Sequence, residues 1–111
     1  MSYVYLGQPY THINPDIQSG RYHRALSFVA ENTKLNSPTI YSPIIHFHNI
    51  SLFYKLPHAA DWWWPQNLAM LQHASELWIL QLPGWEDSKG LEKEIQWAQD
   101  HDMPIEYYLP Y

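Results

Sequence analysis

Apolar and polar positions follow two alternating periods along the 111-residue chain. Tyr3 to Gly7 is a short aromatic and β-branched run that reads as a buried first strand, closed by Gly7-Gln8-Pro9. Asn14-Pro15 has the form of an N-cap followed by proline at the first helical position. A helix is predicted from there to about Asn32, with Tyr22, Ala25, Leu26 and Val29 at i, i+3, i+4, i+7 spacing. Thr39-Ile40-Tyr41 forms a second short strand. Residues 43–60 hold three histidines and two prolines and keep no clear apolar period, so they read as a long loop with at most a turn of helix. A loop of that length in a small domain is usually functional. A second helix is predicted over about Asp61–Ala74, with Leu68, Leu71 and the tryptophans as its apolar side. Leu77 to Leu82 is almost wholly apolar, as a central parallel strand covered on both faces should be. After a loop over 83–89, a last helix runs from near Ser88 to about His101, and Pro104 to Tyr108 closes the chain as a strand.

The expected order is therefore β-α-β-α-β-α-β. Strands alternating with helices imply a four-stranded parallel sheet with right-handed crossovers, and so a small three-layer α/β sandwich in a single domain over residues 1–111. Ligands of such sheets bind beyond the carboxyl ends of the strands. The loops after Leu6, Tyr41 and Leu82 are the places to search.

Glu94 is the most informative residue. On a helical wheel Leu91, Ile95 and Ala98 share one narrow stripe that must face the sheet, and Glu94 falls on it, while Glu92, Lys93 and Gln96 lie opposite. A carboxylate on an inward stripe costs free energy unless it is paired or used. It either serves as a reactive group at the end of the sheet or bends out from the edge of the stripe to solvent or a nearby amide. Asp87 or Ser88 can cap the same helix, whose free N–H groups could instead hold a phosphate or a sugar hydroxyl. Gly90 would allow a ligand close to the backbone. His46-Phe47-His48 would place two imidazoles on one face of an extended segment, with His58 further on. No carboxylate or cysteine stands at a ligand-like spacing, which favours loop histidines beside a polar pocket over a metal site. Trp62-Trp63-Trp64 reads as core and interface, with one ring free to stack on a base. Tyr10, just after the first strand, would place a phenol in the cleft or serve in packing.

Composition narrows the classes of function. Hydrophobic residues make up 46% and charged residues 15%, which excludes a wholly disordered chain. The formal net charge of −5 argues against DNA or RNA polymers, which require a basic face. There is no cysteine, hence no disulfide or thiolate metal site. No signal-peptide pattern and no stretch of ~20 apolar residues is present, so a cytoplasmic protein away from membranes is expected. The outlying number is the aromatic content of 16%, with six tryptophans and nine tyrosines. Rings at this density fill a small core and also build stacking pockets and oligomer interfaces.

The ordered motifs resemble a known family. Tyr5-Leu6-Gly7-Gln8-Pro9-Tyr10 looks like the opening of the nucleoside 2-deoxyribosyltransferase-like superfamily, and Ser88-x-Gly90-x-x-x-Glu94-x-x-x-Ala98 looks like its catalytic helix. Tyr41-Ser42-Pro43-Ile44 with the histidines after it, Trp63-x-x-x-Asn67, and Glu76 to Trp85 resemble a small bacterial and phage branch of it. The similarity covers nearly the whole chain in order. It implies a Rossmann-like sheet and a homodimer or larger homo-oligomer. It also implies a glutamate nucleophile, matched by Glu94, that attacks C1′ of a 2-deoxyribosyl group and displaces the base. That is the covalent-intermediate logic of retaining glycosidases. The serine matched by Ser88 would help hold a 5′-phosphate, and Tyr10 would lie near the nucleophile and orient it.

The chain departs from the pattern where family members often carry aspartates, having Asn67 and Ser75 instead. Losing the first removes an acid that could protonate the departing base; either Asp87 replaces it or the base leaves without that help. The expectation is an enzyme that cleaves or transfers the N-glycosidic bond of a (deoxy)nucleoside or its 5′-monophosphate, with Glu94 and Tyr10 catalytic. Gly7, His46, Trp63 and Asn67 are expected to contact the substrate, as are Asp87, Ser88 and Gly90. No metal or organic cofactor is required. The rival is a non-catalytic module that binds a nucleotide or nucleotide-derived ligand in the same cleft.

Overall fold

The computed structural model describes residues 2–110. Its sheet has four strands, β1 (Val4–Gly7), β2 (Ile40–Tyr41), β3 (Glu76–Leu80) and β4 (Ile105–Tyr108), all parallel, in the order β2-β1-β3-β4. The helices are α1 (Pro15–Lys34), α2 (Pro43–Tyr54), α3 (Ala60–Leu71) and α4 (Lys89–Asp100), with a short 3-10 turn at Trp85–Asp87. This is a small Rossmann-like α/β sandwich, as the alternation of periods predicts.

Alternation along the strands sorts the core into two layers. Val4 and Leu6 of β1, and Trp78 and Leu80 of β3, pack with Phe28 of α1. Tyr5 of β1, and Leu77 and Ile79 of β3, pack with Leu71 of α3 and with Leu91 and Ala98 of α4. A third cluster, Tyr10, Ile44, Phe47 and Trp63, joins the loop after β1 to α2 and α3. Asn14 caps α1 by accepting from the Asp16 N–H at 2.9 Å, with Pro15 at the first helical position. The inward stripe of α1 is rotated from the predicted one: Ala25 and Phe28 are buried and Leu26 is exposed.

The main correction falls on residues 43–60, which contain a twelve-residue helix instead of a long loop. Ser42 caps it by accepting from the Ile45 N–H at 3.1 Å, and Pro43 follows at the first position. Lys55 ends it in the left-handed conformation, φ 56°. Its buried residues Ile44, Phe47, His48 and Ser51 do repeat at i, i+3, i+4, i+7. Two of the four are polar, while Leu52, Phe53 and Tyr54 are exposed, so hydrophobicity alone does not display the period. Consequently His46 and His48 do not share a face. His48 is buried and His46 is exposed. Among the described residues no helix is long and apolar enough to cross a membrane.

Candidate active site

The chain leaves β1 toward β2 on one side and reaches β3 on the other, so the sheet has a topological switch point between β1 and β3. A cavity of about 400 Å³ lies at the carboxyl ends of the strands there. The loop after β1 supplies Gln8, Tyr10 and Thr11 to its wall, and α2 supplies Pro43, Ile44 and Phe47. The connection into α3 adds His58 and Ala59, and α3 itself adds Trp63, Trp64 and Asn67. The approach to α4 adds Asp87, Ser88 and Gly90, and α4 closes the floor with Leu91 and Glu94. The N-termini of α2, α3 and α4 therefore all border this space, and helix N-termini carry partial positive charge.

Glu94 is buried on the apolar stripe of α4 between Leu91 and Ala98, as the wheel predicts. Its Oε2 accepts a hydrogen bond from the Tyr5 hydroxyl. Burial pushes the Glu94 carboxyl up to about 8, against which the Tyr5 hydrogen bond pulls it down. Burial and the neighbouring carboxylate hold the Tyr5 phenol well above its ordinary value. Gly7 is required by this approach. A Cβ there would stand 2.8 Å from Leu91 Cδ1 and 3.1 Å from Glu94 Oε1.

Of the residues expected from sequence, Glu94, Tyr10, Trp63, Asn67, Asp87, Ser88 and Gly90 line the one cavity. Gly7 stands behind Glu94. His46 does not join them: it is exposed on α2 with its ring 6.3 Å from that of Tyr41. Tyr10 does not orient Glu94. Tyr5 does so, and the Tyr10 hydroxyl is turned to His48 Nδ1 at 2.6 Å. The Ser88 hydroxyl is occupied as the cap of α4, accepting from the Leu91 N–H at 3.3 Å. Gly90 allows close packing of helices as well, since a Cβ there would lie 3.1 Å from Ala60 Cβ. Trp63 is a fixed wall, stacked on Phe47 at 4.6 Å with its indole N–H donating to Pro57 O at 2.7 Å. Ser75, the other departure from the family pattern, is exposed and donates to Tyr3 O, at the strands' amino ends away from the cavity.

Sequence reasoning passed over Tyr5, Gln8 and the part played by His48. Tyr5 was within reach, because alternation along β1 places it on the same face as Gly7, toward the helix that carries Glu94. Gln8 is buried. Its amide N–H donates to Arg21 O at 2.9 Å, and its Oε1 is the buried side-chain oxygen without a partner among the described residues. No pattern in the chain marks it beyond its place just after the strand. Arg21 also donates to Thr11 O at 3.2 Å and to Pro83 O at 3.0 Å, tying the loops after β1 and β3 together.

An open α/β domain with a buried carboxylate at its carboxyl-edge cleft is the class that this fold and site define. Within it the chain belongs to the family described as a domain of unknown function, DUF1937, whose model matches residues 2–109. No curated protein matches the chain.

Proposed function

We propose that this protein breaks the N-glycosidic bond of a (deoxy)nucleoside or its 5′-monophosphate through a glutamate nucleophile. The observation that carries the reading is Glu94: a carboxyl on a buried apolar stripe, held by Tyr5, at the floor of a cleft beyond the strand ends. A cavity of about 400 Å³ is of the size that takes a small-molecule ligand. Its aromatic wall suits a base, and its helix N-termini suit a sugar hydroxyl or phosphate. The resemblance of the β1 and α4 motifs to the nucleoside 2-deoxyribosyltransferase-like superfamily supports the same assignment.

In this mechanism an oxygen of ionised Glu94 attacks C1′ as the C1′–N bond breaks, and the bond's electron pair leaves with the base. Water or a second base then attacks C1′ and releases the carboxylate. The carboxyl must be ionised to attack. Its value of about 8 makes the unliganded protein a weak nucleophile at low pH and a progressively better one as pH rises. Gln8 Oε1 is available to accept from a sugar hydroxyl, and Asn67 and Trp64 border the space for the base. In solution we expect a cytoplasmic homodimer or larger homo-oligomer.

One observation favours the rival, a non-catalytic nucleotide-binding module: a carboxyl with so high a pKa can act as a neutral hydrogen-bond donor to a ligand. The test is release of free base from a panel of ribo- and deoxynucleosides and their 5′-monophosphates, resolved by chromatography. Release by the parent and not by Glu94→Gln supports the enzyme, and added second base then separates hydrolysis from transfer. Thermal stabilisation by a nucleotide, equal in parent and variant and without release, would establish the binding module.

A further inference from the structure

Beside Glu94 the cavity wall carries a second group of titratable side chains with no part in the nucleophilic step. The Tyr10 hydroxyl lies 2.6 Å from His48 Nδ1 and 3.3 Å from His58 Nδ1. One hydroxyl proton thus faces two ring nitrogens. The amide of Gln18 is oriented by its Oε1, which accepts from the His12 N–H at 3.1 Å, so its Nε2 donates toward His58 Nδ1 at 3.3 Å. That arrangement fits a neutral His58 with a bare Nδ1. If His58 is instead charged, its Nδ1–H points at the Tyr10 oxygen, and the Tyr10 proton is held by His48.

The surroundings keep the two buried members in the states this requires. Burial raises the Tyr10 phenol to about 12, so it stays protonated. Burial, then the charges of His58 and His23, lower His48, which disfavours its charged form. Tyr22 of α1 stacks on the His48 ring at 4.0 Å and Phe47 packs edge-on to Tyr10 at 5.2 Å, fixing both rings. Only Tyr10 and His58 reach the cavity, and His58 is half-buried and open to solvent. The charged groups on the same wall are Asp61, Asp87, Lys89 and Glu94.

We propose that His58, Tyr10 and His48 form a proton relay that protonates the departing base. The proposal rests on the glycosidic-cleavage reading above. Charged His58 passes its Nδ1 proton to the Tyr10 oxygen while the Tyr10 hydroxyl proton passes to a ring nitrogen of the base. The electron pair of the C1′–N bond enters the base ring, and a Glu94 oxygen forms the new bond to C1′. His58 becomes neutral, Tyr10 is unchanged, and the base and the glycosyl ester are both neutral, so charge and protons balance. His48 is a positioning residue that holds the Tyr10 proton until a base arrives. The relay supplies the acid that Asn67 cannot.

The experiment compares two leaving groups. One is the nucleoside cleaved fastest in the base-release panel. The other is the 4-nitrophenyl glycoside of the same sugar, which departs as a phenolate without taking a proton. Tyr10→Phe and His58→Gln are expected to slow nucleoside cleavage by about 10²–10⁴-fold, the usual contribution of a general acid, and nitrophenyl release by less than tenfold. Glu94→Gln should abolish both. Equal losses on the two substrates would mean a structural role and would overturn the relay, as would no loss on either, while Glu94-dependent release would keep the glycosidic reading intact. A parent inert toward both substrates would overturn that reading and the relay with it.

Discussion

The two faces of the sheet are built from the same strands and do different things with burial. On the α1 face Val4, Leu6, Trp78 and Leu80 surround Phe28, and the cluster is apolar throughout. On the opposite face the same β1 presents Tyr5 and Gly7, and the packing of Leu77, Ile79 and Leu91 encloses a carboxyl group. The first face contributes stability through area removed from water. The second loses some of that gain to the desolvation of Glu94, whose carboxyl it holds at the floor of the cavity. Alternation of period two is what separates them, because each residue of β1 can serve one face only.

The largest test of this contrast is Glu94→Gln. It is expected to lower base release by about 10⁴-fold or more, as loss of a nucleophile does, while leaving the fold intact. It should also change how stability depends on pH. Folded Glu94 keeps its proton up to about 8, whereas the unfolded carboxyl releases it near 4.5. The folded state therefore binds more protons between those values, so stability is full below about 4.5 and falls as pH rises toward 8. Thermal melts across that window should show the decline in the parent and a flatter profile in the variant. The same ionisation predicts that kcat/KM of the parent toward the 4-nitrophenyl glycoside, whose leaving group needs no acid, rises with pH and levels off above about 8.

Phe28→Ala inverts the expectation. Denaturant unfolding should show a loss of roughly 3–5 kcal/mol, the usual cost of truncating a buried phenylalanine, with kcat/KM of the folded fraction little changed. An equal loss of catalysis would mean that the two faces are not independent. Gly7→Ala is intermediate. Its methyl group would meet Leu91 and Glu94, so both readouts should move: about 1–3 kcal/mol of stability and a fall in activity from displacement of the carboxylate. The smallest effect is expected from Tyr5→Phe. Removing its hydroxyl takes away the hydrogen bond that pulls the Glu94 value down, so the rising limb of kcat/KM toward the nitrophenyl glycoside should move to higher pH while the plateau stays close to the parent's. A limb moving to lower pH would contradict the role given to Tyr5.

The elements with one dominant signal were legible without coordinates. β3 is a continuous apolar run, α1 begins at a cap and a proline, and α4 has a narrow stripe in which one carboxyl is out of place. α2 was not legible, because its inward stripe mixes Ile44 and Phe47 with His48 and Ser51, which are buried for their polar contacts as well as for packing. Reading hydrophobicity alone turned a helix into a loop and placed His46 beside His48.

The chain by itself therefore determined the parallel α/β order, the strand ends where a site must lie, and Glu94 as the residue whose burial needs a reason. Each of these follows from spacing along one element, which local geometry transmits directly. Tertiary structure decided which side chains meet. Tyr5 lies 89 positions from Glu94, and Tyr10 lies 38 from His48 and 48 from His58. Those distances are closed by crossovers and packing between elements, and no periodicity within an element carries information about them.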